Sequence, residues 1–315
     1  MAGAAAVKWS KQGRIFVPSG EGFFKTHAAR PIPYRLSSEV LRIFFSSREA
    51  DDRMLPSFVD VDLRNPSRVL RVSEQPLIGL GEPGTFDDSG VTLGSLVERG
   101  SDVYLYYTGW KRSRTVSFEL SIGILRWDRK NDAWQRLFTG PILAQDRNHP
   151  FLVAGPYVAE ENGAYKMWYC SGTGWMFPSG NPEPIYTVFY AESRDGIDWR
   201  PRKDPVIPYK YEGEVVSAPW VSRVKGKYCM WYCARGHATK EAKNYTIGYA
   251  ESGDGLSWQR LDERAGISRS AEGWDSEMVC YPAIFGHEDK AYMFYSGNGV
   301  GRGGLGYAVA DNFLV

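Results

Sequence analysis

Apolar and aromatic residues in this chain fall in short runs bounded by Gly, Asn, Asp and Pro, and one kind of run recurs five times. It reads Ile43-Phe-Phe-Ser46, Leu105-Tyr-Tyr-Thr108, Met167-Trp-Tyr-Cys170, Met230-Trp-Tyr-Cys233 and Met293-Phe-Tyr-Ser296, with starts 62, 62, 63 and 63 residues apart. A second column, Pro33, Ser95, Pro156, Pro219 and Pro282, keeps step with it inside apolar stretches such as Val215 to Val221. A third run follows each doublet: Ser57 to Val61, Ser121 to Leu125, Thr187 to Ala191, Thr246 to Ala250 and Gly304 to Ala308. β-branched and aromatic runs between turn formers predict strands, and Trp199 to Ile207 and Trp258 to Ile267 supply a fourth.

Helical periodicity is nearly absent. Four strands per unit, repeated at 62–63 residues over the whole chain, predict an all-β fold: a single five-bladed β-propeller spanning 1–315. Solenoid repeats are shorter, commonly about 20 to 45 residues. Gly13 to Val17 has no counterpart in the repeat and is expected to complete the last blade, closing the ring.

Composition narrows the partners. With 38 basic and 37 acidic residues, nothing favours a nucleic acid or a membrane surface. The first seven residues are soon interrupted by Lys8 and Lys11 and do not read as a secretory leader, and no apolar run approaches the roughly 20 residues of a membrane span. Cys170, Cys229, Cys233 and Cys280 all sit in expected strands and read as buried free thiols of a cytoplasmic protein. No cofactor motif is visible; Gly297 to Gly304 joins two strands rather than opening a helix.

Tyr190-Ala-Glu-Ser-Arg-Asp-Gly-Ile-Asp-Trp199 and Tyr249-Ala-Glu-Ser-Gly-Asp-Gly-Leu-Ser-Trp258 end strands in Ser-x-Asp-Gly-x-x-Trp. With the blade rhythm, this resembles the five-bladed glycoside hydrolases of the arabinanase, levansucrase and invertase superfamily. Asp195 and Asp254 are expected to be turn residues and the tryptophans to cover the outer strands.

Propellers hold ligands at the mouth of the central channel. Seven residues before the proline column stand Thr26, Asp88, His149, Glu212 and Asp275; five before it stand Ala28, Gly90, Phe151, Glu214 and Glu277; three before it stand Arg30, Thr92, Val153, Val216 and Val279. Acids therefore gather in three blades. Glycosidic chemistry uses a proton-donating carboxylic acid opposite a carboxylate, and the resemblance implies two Asp and one Glu from three blades. Asp88, Glu214 and Glu277 are the expected catalytic set, with Asp88 as one aspartate, Glu214 and Glu277 competing for the general acid, and Asp275 a candidate second aspartate. The first blade offers Arg30 and the third Phe151 where the superfamily carries acids, so the expected set is a rearranged one.

The expected sugar-binding groups are His27, Arg30, Asp87, His149, Trp175, Trp220, Arg235, His237 and Asp275. Arg30 reads either as an ion-pair partner between blades or as the grip on a carboxylate or phosphate. Lys111, Arg112 and Arg114 point the same way, towards an anionic sugar such as a sugar phosphate or nucleotide sugar. The leading expectation is a carbohydrate-active enzyme of glycoside-hydrolase-like type that cleaves or transfers at a glycosidic centre. An enzyme of the same fold acting on an anionic sugar and a non-catalytic glycan-binding propeller are the alternatives. No metal is required, although the acids would also suit a structural calcium in the channel.

Overall fold

The computed structural model describes residues 7–49, 51–178, 180–237, 239 and 243–311. The start of the chain, 1–6, lies outside the described residues. Strand β1 (Ser10–Phe16) comes first. Blade one is β2 (Thr26–Arg35), β3 (Val40–Arg48), β4 (Met54–Asp62) and β5 (Val69–Val72); blade two is β6 (Gly90–Arg99), β7 (Asp102–Arg112), β8 (Phe118–Asp128) and β9 (Ala133–Arg136). Blade three is β10 (Val153–Glu161), β11 (Ala164–Met176), β12 (Glu183–Ser193) and β13 (Arg200–Pro201); blade four is β14 (Val215–Val224), β15 (Lys227–Arg235), β16 (Thr246–Ser252) and β17 (Trp258–Arg260). Strands β18 (Cys280–His287), β19 (Lys290–Ser296) and β20 (Leu305–Asp311) make the fifth, in the order β1-β20-β19-β18. The N-terminal strand therefore closes the ring, with Lys11 opposite Ala308 and Gly13 opposite Tyr307. The protein is a five-bladed β-propeller.

The aromatic doublets show why this sequence makes a ring. Successive side chains of a strand point to opposite faces, so each doublet sends one ring to each neighbouring blade. Phe44 meets Tyr107, Tyr106 meets Tyr169, Trp168 meets Tyr232, Trp231 meets Tyr295 and Phe294 meets Phe45, each pair within one buried inter-blade cluster. Five doublets thus fill five layers.

Asp195 and Asp254 act as turn residues. The Asp254 carboxylate accepts the backbone N–H groups of Leu256 and Ser257, each at 2.8 Å, and these bonds hold its pKa well below the usual range. Gly255 stands at φ 78° and its carbonyl accepts the indole N–H of Trp168 from blade three at 2.8 Å. A Cβ there would lie 3.0 Å from Trp168 Cζ2. Gly255→Ala is expected to cost about 1–2 kcal/mol, the penalty of a left-handed L-residue, read as a lower denaturant midpoint at unchanged slope.

Candidate functional site

The acids of the lead-in loops turn out to tie the blades together. In blade two, Asp87 is buried and accepts the Tyr107 hydroxyl at 2.8 Å and Arg136 Nε at 2.7 Å. In blade five, Asp275 accepts the Tyr295 hydroxyl at 2.9 Å and Lys11 Nζ at 2.6 Å. In blade four, Arg260 forks onto Glu214 at 2.7 and 2.8 Å and also reaches Asp262, which accepts the Tyr232 hydroxyl. In blade three, His149 is held by Asp146 at 3.0 Å and the Arg202 carbonyl at 3.0 Å, with the Tyr169 hydroxyl at 3.3 Å. In blades two, three and five a polar residue leading into the innermost strand meets the tyrosine of the second strand and a group at or beside the outermost strand. In blade four Glu214 meets Arg260 of the outermost strand, and Asp262 takes the tyrosine. Blade one carries Phe45 where the others have tyrosine.

This corrects the expected arrangement. Asp87, not Asp88, shares the level of His149 and Asp275, and Glu214 rather than Glu212 serves blade four. Asp88 caps a turn, accepting Gly84 N–H at 2.9 Å and the Ser89 hydroxyl at 2.7 Å. Glu277 is exposed. None of Asp88, Glu214 and Glu277 lines the cavity on the propeller axis. The expected columns are also two residues off in blade one, because the structural counterpart of Pro156, Pro219 and Pro282 is Pro31, not Pro33.

What lies on the axis is a cavity of about 100 Å³ to which all five blades contribute, room for several waters rather than one. Its polar groups include His27, Arg30 and Arg48 from blade one, Thr92 and Thr108 from blade two, and Ser217 from blade four. Trp110, Phe118, Tyr186, Tyr245 and Tyr281 supply ring surfaces. Trp110 and Phe118 pack at 4.7 Å, the Trp110 indole N–H donates to Thr92 Oγ1 at 2.6 Å, and the Tyr186 and Tyr245 hydroxyls share a bond of 2.8 Å. Among the described residues no Asp or Glu lines this wall, and no group of three or more His, Cys, Asp or Glu is arranged to hold a metal ion.

Of the expected binding residues, His27 and Arg30 reach the cavity; Asp87, His149 and Asp275 belong to the blade ties. Trp220 packs on Tyr157 at 5.1 Å and borders the narrow passage beyond the cavity. Trp175 stands edge-on to Phe151 at 6.2 Å, outside the lining. Arg235 lies over the Tyr245 ring at 5.5 Å and His237 bonds Glu183 at 2.9 Å, so both stand behind the wall. The Lys243 ammonium, 2.8 Å from Glu183, holds that carboxyl below its usual range. Lys111 and Arg112 are spent on the carbonyls of Gly84 and Asp51, and Arg114 is exposed. Sequence reasoning missed Arg48, Tyr186, Tyr245 and Tyr281. Anchoring blade one on Pro31 would have placed Arg30 and Tyr281 in one column.

No protein-family model matches the chain. It is 39% identical over 308 residues, covering 96% of this chain and 99% of the other, to "Uncharacterized protein Rv1502" of Mycobacterium tuberculosis (strain ATCC 25618 / H37Rv). The chain belongs to the Rv1502 family. Protein MT1551 of strain CDC 1551 / Oshkosh matches at the same identity and coverage. Among solved structures, a glycoside hydrolase superposes with a TM-score of 0.75 at 16% identity, covering 98% of this chain and 93% of that one. A BT0996 RGII complex gives 0.74 at 17%, covering 97% and 92%. Penicillium chrysogenum α-L-arabinanase complexed with arabinobiose gives 0.60 at 12%, covering 98% and 99%. At such identities these similarities establish the shared propeller fold and leave the Rv1502 family's chemistry to its own residues.

Proposed function

We propose that this chain is a carbohydrate-active propeller that recognises a sugar in the axial cavity. The observation that carries the reading is the wall itself: ring surfaces and convergent hydrogen-bonding groups from five blades on one axis, the usual make-up of a small-molecule site. The arabinanase of the same fold is complexed with a sugar, which supports a carbohydrate as ligand. Paired carboxylates, which glycosidic cleavage uses about 5 to 9.5 Å apart, are missing from the described wall. The cavity therefore reads as a recognition site, and cleavage by Asp88, Glu214 and Glu277 is the competing reading that the fold similarities keep in view.

Calorimetric titration with a panel of mono- and disaccharides and sugar phosphates, followed by product analysis, separates the two. Recognition predicts saturable binding that weakens about tenfold or more in Trp110→Ala, with the ligand recovered unchanged. Turnover that disappears in Glu277→Gln while binding persists would overturn it in favour of cleavage. No saturable binding of any sugar would overturn both.

A further inference from the structure

We infer that Arg30 forms an oxyanion seat on the propeller axis, so that the sugar taken by the cavity carries a phosphate or a carboxylate group. This rests on the cavity being the sugar site and names the class of sugar.

All five innermost strands break their ladders at one level: between Ala29 and Ile32, Leu93 and Ser95, Ala154 and Tyr157, Ser217 and Trp220, and Cys280 and Ala283. The first residues thrown out of register are Arg30, Gly94, Gly155, Ala218 and Tyr281, each but Gly94 followed by a proline that is out of register too, and all five border the passage beneath the cavity. Four are left-handed, Arg30 at φ 56°, Gly155 at 59°, Ala218 at 50° and Tyr281 at 57°. Glycine suits this backbone, whereas arginine or tyrosine there costs about 1–2 kcal/mol each. Strain kept by large side chains at one focus of a fold points to a task at that focus.

Space at this level is shared out around Arg30. A Cβ on Gly155 would sit 3.0 and 3.1 Å from the Arg30 guanidinium nitrogens, and one on Gly94 would sit 2.5 Å from the Pro156 carbonyl oxygen. Blades two to four place only Gly94, Gly155 and Ala218 at this level of the passage wall. Arg30 stands beside them, stacked at 4.8 Å on the Tyr281 ring. Arg30 lines both the cavity and the passage, so its guanidinium forms the floor between them.

That cation lacks a counter-charge among the described residues. Among the described residues Arg30 has no ion pair and no side-chain hydrogen bond, and its stacking on Tyr281 leaves its five N–H donors unused. The thiols and the phenol on which its charge bears are uncharged at neutral pH. Burial pushes the Cys170 thiol up to about 11 and the Cys233 thiol up to about 12, and raises Cys280 and Tyr281 as well. Arg48, also in the wall, is paired with Asp52 at 3.1 Å, and the Arg48 and Arg302 charges both bear on His27. A half-buried charge with free donors is costly until an oxyanion accepts its fork, and that charge-assisted pair is the strong kind of hydrogen bond.

Titration calorimetry on the full chain with glucose, glucose 6-phosphate, glucuronate and inorganic phosphate tests the seat. At least one anionic sugar is expected to bind tenfold or more tightly than glucose, and that advantage is expected to fall below about twofold in Arg30→Met. Arg30→Gly, which the left-handed backbone favours, serves where Arg30→Met folds poorly. Glucose 6-phosphate preferred over glucuronate assigns a phosphate, and the reverse order a carboxylate. Glucose binding as tightly as both anionic sugars overturns the seat and leaves the cavity reading standing. Inorganic phosphate lost in Arg30→Met, with every sugar failing to bind, keeps the seat and removes the sugar.

Discussion

Glu214→Ala is expected to destabilise the protein by about 3 kcal/mol or more, the cost of leaving one member of a buried ion pair unmatched. Glu214 and Arg260 expose only 3% and 6% of their side chains. Glu214 also accepts the backbone N–H of Lys210 at 2.7 Å, anchoring the loop that leads into blade four. Removing the carboxylate leaves Arg260 with the neutral Pro208 carbonyl and with Asp262, which is already shared with Lys210 and Tyr232. Urea unfolding should show the loss as a lower midpoint. Removing both charges in Glu214→Leu with Arg260→Met should recover much of it, since apolar replacement of a whole buried pair is often near neutral. A Glu214→Ala protein as stable as the parent, but unable to turn over a sugar, would instead return Glu214 to the role of catalytic acid.

A second large effect concerns pH. His27 is buried at φ 65°, with Nδ1 2.7 Å from Thr26 Oγ1. Burial first, then the Arg48 and Arg302 charges, bring its pKa from 6.5 down to about 4, against the opposing pull of Asp52. Because the folded pKa is the lower one, the unfolded chain binds more protons between these values. The stability linked to His27 is therefore fully present above about pH 6.5 and drains away as pH falls towards 4. His27→Gln should flatten the dependence of unfolding free energy on pH in that window by up to about one proton. Parallel slopes for parent and variant would show that His27 titrates normally in the fold. An oxyanion on Arg30 should move the His27 pKa upward, since opposite charge favours the imidazolium.

The sequence made the architecture legible because the signal is periodic and local. Doublets such as Met167-Trp-Tyr-Cys170 alternate faces within one strand, so spacing alone announces blades and layers, and the unmatched Gly13 to Val17 announces the closing strand. Turn chemistry at Asp195 and Asp254 is equally local. The site was not legible in the same way. Whether Asp87 or Asp88 faces inward depends on a break in pairing between Leu93 and Ser95, and a one-residue shift in a strand exchanges its faces. Whether an acid serves a ligand or the fold depends on partners far along the chain, as Arg136 is from Asp87 and Lys11 from Asp275. Carboxylates gathered at one level look like chemistry until the cations and tyrosines of their own blades are found against them. Arg30, which on sequence reads equally as ion-pair partner or anion grip, has no ion-pair partner among the described residues.

The claim that the axial cavity, and not the acid column, receives the ligand is tested most directly by histidine side-chain NMR during titration with glucose 6-phosphate. The chain has four histidines, of which His27 lines the cavity and His149 belongs to the blade-three tie. The His27 imidazole signals should shift saturably while those of His149 stay in place. Movement of His149 with His27 unchanged would contradict it and put the ligand at the acids.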